Sequence, residues 1–152
     1  MLIADHGELI HIRRIPKLTT GKIQPMDVYG FRPYKNFIRT ISDLPEISKN
    51  NFGLRIRNNV IKLQSIVFNQ MCSPRYQPMF QYGWYKAGYV EERPVRFETP
   101  VDFCFRAVLL RNCEAENCDS SSFMRCSWCK KKQQLCFQDF ILNYHLCYDY
   151  DE

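Results

Sequence analysis

The sequence lacks any long uninterrupted apolar segment. No run approaches the roughly 20 residues that a membrane-spanning helix needs, and the opening residues 1–8 hold acids where a secretory signal would hold basic side chains. Internal repeats and low-complexity tracts are also absent. We therefore expect an intracellular protein that makes no use of a membrane.

Two catalytic signatures are missing as well. No arrangement of nucleophile, base and orienting group stands out, and none of the 6 glycines belongs to a phosphate-cradling loop. The 152 residues are nevertheless 45% hydrophobic and 24% charged, which suits one globular domain or two small units rather than a disordered tail. We expect a protein that acts by binding and not as an enzyme.

Charge is moderately positive and unevenly distributed. The net charge is +5; residues 1–103 carry 15 basic and 9 acidic side chains, and residues 104–152 carry 6 and 7. A mild basic excess permits binding to a phosphate backbone without demonstrating it. The charge leaves DNA among the candidate partners.

Hydrophobic spacing divides the chain into short elements. Alternation predicts a lone strand over 9–15, and apolar spacings of three and four predict helices from Pro25 to Ile41, over about 51–71 and from Ser73 to Ala87. The apolar face of the second helix is expected to comprise Ile56, Val60, Leu63, Val67 and Met71. We expect Gly88 to cap the third helix. These elements predict units at 1–43 and 44–92, a linker at 93–103 and a terminal module at 104–152.

Aromatic residues concentrate on the third predicted helix. They could stack on nucleic-acid bases, although the core of a small helical unit is the favoured interpretation. The residues are Tyr76, Phe80, Tyr82, Trp84, Tyr85 and Tyr89.

Cysteine is concentrated in the last third of the chain. Seven of the 8 cysteines lie there, and clustered thiols without a secretion signal favour zinc over disulfides. From Cys113 to Cys147 the ligand pattern is C-x4-C-x7-C-x2-C-x6-C-x2-D-x5-H-x-C, eight potential ligands in 35 positions. These suffice for two tetrahedral sites, so we predict one or two zinc ions.

The spacing predicts two interleaved groups of ligands. The first group contains Cys113, Cys118, Cys136 and Asp139; the second contains Cys126, Cys129, His145 and Cys147. A helix starting near Leu135 would place the last two ligands of the first group on one face. Cys104 is an alternative to Asp139 in that group, and Cys72 is expected to be a buried small hydrophobe.

This order resembles a B-box or a similar small cross-brace zinc domain. The stretch R-C-x-W-C…L-C-F, from Arg125 to Phe137, contributes to the resemblance. The sequence departs from that pattern in the four-residue gap between Cys113 and Cys118. It departs again at Asp139, where cysteine or histidine is usual.

A second motif lies near the start of the chain. Residues 16–27 read P-K-L-T-T-G-K-I-Q-P-M-D, which is similar to the end of DDE transposase catalytic domains of the mariner and pogo type, where P-x-x-T-T-x-x-x-Q-P-L-D precedes a helix. The resemblance covers about residues 9–43. It implies an RNase H-like fold in which Asp27 matches the third metal-binding carboxylate.

One carboxylate cannot support that chemistry. Two-metal phosphoryl transfer needs several carboxylates that converge on ions about 4 Å apart, and the strands that would carry the first two are missing from this sequence. Asp27 is therefore predicted to be vestigial. The expected fold is α+β: a truncated RNase H-like end of one strand and a helix, a helical linker and a small zinc-binding domain.

The predicted function is that of a nuclear, transposase-derived and catalytically incomplete protein that binds DNA. One alternative is a B-box-like module for protein interaction or self-association, and a second is a subunit that supplies Asp27 to a shared DDE active site. The predicted DNA contacts are Arg13, Arg14, Lys17, Arg55, Arg57, Lys62, Lys130, Lys131 and Lys132.

Overall fold

The computed structural model describes residues 2–3, 9–10, 17, 19–106, 111–130 and 133–148. Its elements are β1 (Leu2–Ile3), β2 (Leu9–Ile10), α1 (Thr20–Ile23), α2 (Phe31–Ser42), α3 (Pro45–Lys49), α4 (Arg57–Met71), α5 (Gln77–Lys86), α6 (Pro100–Phe105), β3 (Met124–Arg125) and β4 (Gln134–Leu135). π-Helical turns lie at Met26–Gly30 and Gln138–Leu142, and a 3₁₀ turn at Pro74–Tyr76. In these ranges no helix has the combined length and apolar character needed to cross a bilayer. The helix-rich arrangement with small two-stranded sheets is compatible with the predicted α+β class.

The first two strands form an antiparallel pair. Leu2 lies opposite Ile10, and Ile3 opposite Leu9. The prediction of a lone strand was therefore wrong, and residues 11–15 of the predicted strand lie outside the described part of the chain. Two short strands do not define an RNase H-like sheet, so that resemblance stays a prediction.

The helix predicted after Pro25 is present. Its path begins as the π-helical turn Met26–Gly30 and continues directly into α2. Pro33 has no N–H to offer the carbonyl of Tyr29, and this carbonyl accepts instead from the N–H of Phe31, which also bonds to Met26. The proline is thus accommodated by a local change of helix type, and the helix buries Phe37 and continues to Ser42.

The second predicted helix begins later than expected. α4 starts at Arg57, because the chain at Asn51 adopts a left-handed conformation with φ of 50° and turns Phe52 into the core. The N–H of Phe52 bonds to the carbonyl of Ile47 at 2.9 Å. In the sequence, a buried aromatic residue in a turn has the same apolar pattern as a residue on the buried face of a helix. The helix was therefore predicted to start too early.

The predicted apolar face of this helix was correct only in its second half. Leu63, Val67 and Met71 are buried, whereas Ile56 and Val60 are 55% and 37% exposed. The beginning of α4 therefore projects past the core.

The end of α5 has the predicted glycine cap. Gly88 has φ of 78°, its N–H bonds to the carbonyl of Tyr85, and the N–H of Tyr89 bonds to the carbonyl of Trp84, both at 3.0 Å. This pair of bonds is a Schellman motif. The rings of Trp84 and Tyr89 lie edge to face at 5.4 Å and cover it.

Helix α6 was missed because it falls in the predicted linker. Residues 93–99 are extended, but Thr99 and Asp102 form a reciprocal capping box, and Pro100 occupies the first turn. The sequence Thr-Pro-x-Asp contains these signals. The capping box fixes where the extended segment ends.

Aromatic contacts join the helices to the cysteine-rich end. Phe37 contacts Phe105 at 6.0 Å, Phe105 contacts Phe123 at 6.5 Å, and Phe123 contacts Phe137 at 5.2 Å between ring centroids. Phe137 then contacts Phe52 at 5.7 Å, which returns the chain of rings to the helical part. Each such pair contributes about 0.5–1.5 kcal/mol beyond its buried area. One continuous core therefore serves both regions.

We expect Gly88→Ala to lower the free energy of unfolding by about 1–2 kcal/mol, because a Cβ atom is unfavourable in the left-handed region. No heavy atom lies within 4 Å of the added Cβ, so backbone strain alone would cause the loss. Gly21→Ala is the matched control: Gly21 lies in a helix with equal space around it, and alanine is favoured there. Urea unfolding measures both, and equal effects would contradict the assigned cap.

Candidate metal centres

The hairpin of β3 and β4 positions the middle of the cysteine-rich region. Met124 pairs with Leu135 and Arg125 with Gln134. Cys126 directly follows β3, and Cys136 directly follows β4. Because the two strands are antiparallel, the hairpin places these cysteines, one of each predicted group, at its opposite ends.

Site 1 is the group formed by Cys113, Cys118, Cys136 and Asp139, whose ligand atoms lie within 4.8 Å of one another. The sulfurs of Cys118 and Cys136 are 3.8 Å apart. A tetrahedral zinc ion with Zn–S bonds near 2.3 Å separates two sulfurs by about 3.8 Å. Asp139 Oδ2 lies 3.2 Å from the sulfur of Cys113 and 3.0 Å from that of Cys136.

Short local structures assemble site 1. A β-bridge between Asn112 and Ser121 closes the loop that carries the first two cysteines. The π-helical turn Gln138–Leu142 begins two residues after Cys136 and carries Asp139. The predicted helix start near Leu135 was two to three residues early, because Leu135 is still in β4. The expected proximity of Cys136 and Asp139 is nevertheless present.

Site 2 is the group formed by Cys126, Cys129, His145 and Cys147, again with ligand atoms within 4.8 Å of one another. The sulfur of Cys129 lies 3.3 Å from Nε2 of His145. Cys126 and Cys129, which form one tight turn, are buried, and the other two ligands are half-buried. The structure thus brings together the two predicted groups of four ligands, and these groups are interleaved along the sequence.

Backbone amides point at several of the sulfurs. The N–H of Cys136 lies 3.2 Å from the sulfur of Cys113, and that of Asp139 lies 3.5 Å from the sulfur of Cys136. In site 2 the N–H of Trp128 lies 3.4 Å from the sulfur of Cys126. Amide donors stabilise thiolates, which are the form of cysteine that binds a metal.

The close approach of the ligand atoms within each site shifts the pKa values of several of them. The thiol of Cys129, followed by His145 and backbone amides, lowers the pKa of Cys126 to about 4 against an opposing effect of burial. The pKa of Cys129 is raised because its proton faces the Cys126 thiolate. In site 1 the thiols of Cys136 and Cys113 donate to Asp139 and lower its pKa. A divalent cation can replace these shared protons.

The donor sets suit zinc to different degrees. Site 2 offers three sulfurs and an imidazole, a common structural zinc set. Site 1 offers three sulfurs and a carboxylate oxygen, which is a harder donor. Both groups are geometrically able to hold a metal ion.

The end of α4 holds the turn of site 2. Gln70, which is fully buried, accepts a hydrogen bond from the N–H of Ser127 at 2.6 Å, and its amide nitrogen lies 3.6 Å from the sulfur of Cys126. The indole N–H of Trp128 donates to the carbonyl of Asn69 at 2.6 Å. These contacts span more than 50 residues of sequence, so sequence spacing gave no signal for them.

The two remaining described cysteines lie outside both sites. Cys104, the predicted alternative to Asp139, is buried beside Tyr76 and Ser127 at 3.7 Å and 3.3 Å, and burial raises its pKa to about 12. Cys72 is exposed. The prediction that it is buried was wrong, because α4 ends at Met71 and the next residue lies in a turn at the surface.

The predicted basic contacts have different environments. Lys17, Arg55 and Arg57 are exposed, as is Lys130. Lys62 instead donates to the carbonyl of Leu142 at 3.0 Å, so it connects α4 to the end of the π-helical turn. The predicted contacts outside the described residues are Arg13, Arg14, Lys131 and Lys132.

Asp27 is exposed in the first turn of Met26–Gly30. Among the described residues, the groups able to hold a metal do not include it.

We expect about two zinc ions per chain in protein purified without added metal, as measured by mass spectrometry. Asp139→Ala and Cys129→Ser should each reduce the content to about one, because each removes a ligand from a different site. Cys72→Ser is the matched control and should retain two. A wild-type content of one that Asp139→Ala does not change would contradict site 1.

We expect Gln70→Met to weaken zinc binding at site 2 by about 10–100-fold, because it removes both the partner of the Ser127 N–H and the amide beside Cys126. Competition with a chromophoric chelator measures the zinc affinity. In an Asp139→Ala background it reports on site 2 alone, because that substitution removes a ligand of site 1. Gln77→Met at an exposed position is the control. Equal affinities would show that Gln70 only fills space.

Comparison with known proteins gives one family. Residues 84–147 match the model of the Tc5 transposase C-terminal domain, a range that holds both sites. No curated protein and no solved structure matches the chain. The family match covers less than half of the 152 residues, and it supports a transposase-derived protein.

Proposed function

We propose that this chain is a transposase-derived, DNA-binding protein whose C-terminal region folds around two structural zinc ions. The observation that carries the proposal is that the range matched by the transposase family, residues 84–147, contains all eight ligands of sites 1 and 2. A nuclear location follows from a function on DNA.

A structural role for zinc is supported by the closure of both sites. Each has four protein ligands, which completes a tetrahedron and leaves no position for a substrate. When bound, zinc would supply folding free energy by cross-linking distant segments. Site 1 would tie the Cys113 loop to the end of β4, and site 2 would tie the Cys126 turn to the segment around His145.

DNA binding is supported by charge. The chain has a net charge of +5, and Arg55 and Arg57 are exposed at the beginning of α4. Lysine and arginine side chains that neutralise phosphates release counterions, which gives most of the non-specific affinity for DNA. On α5, Phe80, Tyr82 and Tyr85 are half-buried and suit a core role better than base stacking, whereas Trp84 is 50% exposed.

We propose that the chain has no catalytic activity of its own. Asp27 is exposed, and among the described residues it belongs to no group of three or more potential metal ligands. Two-metal phosphoryl transfer needs several converging carboxylates. A subunit role, in which Asp27 completes an active site shared with another chain, is the alternative for this residue.

We expect the zinc-loaded chain to bind a fluorescent DNA duplex with an affinity that falls about a hundredfold between 50 and 200 mM salt, as for roughly four phosphate contacts. Fluorescence anisotropy measures the slope. The same duplex should remain intact with Mn²⁺, for the wild type and for Asp27→Ala alike.

A protein-interaction function is the competing proposal, and a feature of α4 favours it. Ile61 and Phe68, seven residues apart, are 51% and 67% exposed and make an apolar stripe. A chain that shows no salt-dependent DNA binding but forms dimers in light scattering would favour this alternative. Cleavage of the duplex that Asp27→Ala abolishes would favour the shared active site.

A further inference from the structure

A groove with two arginines runs along α2. Arg32 and Arg39 are seven residues apart, two helical turns or about 10.5 Å, so they project from the same side of the helix. Both are exposed and line the groove, whose opposite side includes Thr99 and Val101. Asn36, between the arginines, and Thr40, directly after Arg39, also line the groove and add neutral hydrogen-bonding groups.

A second groove with two arginines adjoins the first. Arg93 and Arg96, both exposed, line it together with Tyr82 and Phe97. Tyr29 lines both grooves. The two grooves therefore meet at Tyr29, with the arginines of α2 in one and those of the extended segment 93–99 in the other. We call them together the arginine groove.

Aromatic contacts fix the extended segment in place. Tyr82 contacts Tyr29 at 4.8 Å and Phe97 at 5.5 Å between ring centroids. The guanidinium of Arg93 lies 5.8 Å from the ring centroid of Tyr82. Because Thr99 also caps α6, both ends of the segment are anchored, and its arginines are presented on an ordered backbone.

The groove has little compensating negative charge. In the described part of the chain, no acidic residue lines either half. The nearby carboxylate of Asp102 accepts hydrogen bonds from Thr99 and pairs with Arg106 at 3.3 Å, so its charge is already engaged. The acids closest in sequence are Glu92, which directly precedes Arg93, and Glu98, which lies between Phe97 and Thr99; both are exposed.

We propose that the arginine groove is the surface on which the chain holds a DNA backbone. Guanidinium groups bind phosphate oxygens in a bidentate geometry, and DNA presents one phosphate per 3.4 Å of each strand along its axis. The span of Arg32 and Arg39 covers about three such steps. The inference rests on the proposed DNA-binding function and assigns it to a surface outside the zinc sites.

The test compares paired variants of the full zinc-loaded chain on one fluorescent duplex. We expect Arg32→Gln/Arg39→Gln and Arg93→Gln/Arg96→Gln each to weaken binding about tenfold or more and to reduce the salt slope by about 1.8, which corresponds to two phosphates. Lys49→Gln/Arg111→Gln removes the same charge at exposed positions outside the groove and should change affinity by less than about threefold. Zinc content and circular dichroism check that each variant is folded.

The outcomes separate this inference from the function on which it rests. If the wild type binds the duplex and all three double variants weaken it equally, DNA binding stands and the groove assignment is overturned. If the folded wild type does not bind at low salt, the proposed function fails, and the groove fails with it. If the groove variants bind the DNA duplex as tightly as the wild type does, the groove assignment is likewise overturned while DNA binding stands.

Discussion

The structure depends on how the turn from Cys126 to Cys129 is held against the end of α4. Inside this turn, the N–H of Ser127 donates to Gln70, and the hydroxyl of Ser127 lies 2.7 Å from that of Tyr76. Unsatisfied polar groups at this depth would each cost about 1–3 kcal/mol, so the turn and the helix end must form together. The ligands of site 2 are thereby oriented by residues more than 50 positions earlier.

The cysteine-rich end shares its core with the helical region. An independent zinc module would carry its own core, but here the rings of Phe52, Phe137 and Phe123 continue into the helical region. Lys62 adds a hydrogen bond from α4 to the carbonyl of Leu142. Because one core joins both regions, we expect a change at either site to alter the stability of the helices as well as that of the hairpin.

The two proposed activities occupy different parts of the molecule. We propose that sites 1 and 2, each a group of four candidate ligands, stabilise the fold by holding zinc. The arginine groove is exposed, and its proposed role is to bind DNA through its positive charge. Tyr29 and Tyr82, the aromatic residues beneath the groove, are half-buried and pack on Phe97. They pack under the segment 93–99, which carries Arg93 and Arg96. In the proposed binding surface Tyr82 of α5 therefore supports the arginines and does not stack on bases.

The sequence by itself determined the features that depend on local spacing. The two interleaved ligand groups could be predicted because eight ligands within 35 positions, two to five residues apart in pairs, have few ways to reach one ion. The cap at Gly88 was predictable for the same reason, since its hydrogen bonds span only five residues. The Thr99 capping box carried an equally local signal.

Only the tertiary structure decided the rest, because it depends on segments that meet across long separations. The start of α4 was misplaced since burial of Phe52 comes from Phe137, 85 residues away. The hydrogen bond between Gln70 and the turn that carries Cys126 has no counterpart in sequence spacing. The same holds for the shared lining of the two grooves by Tyr29. Interactions between residues close in sequence determine which residues form each turn that carries ligands. Packing between distant segments determines which residues hold those turns in place and which charged side chains lie on the same surface.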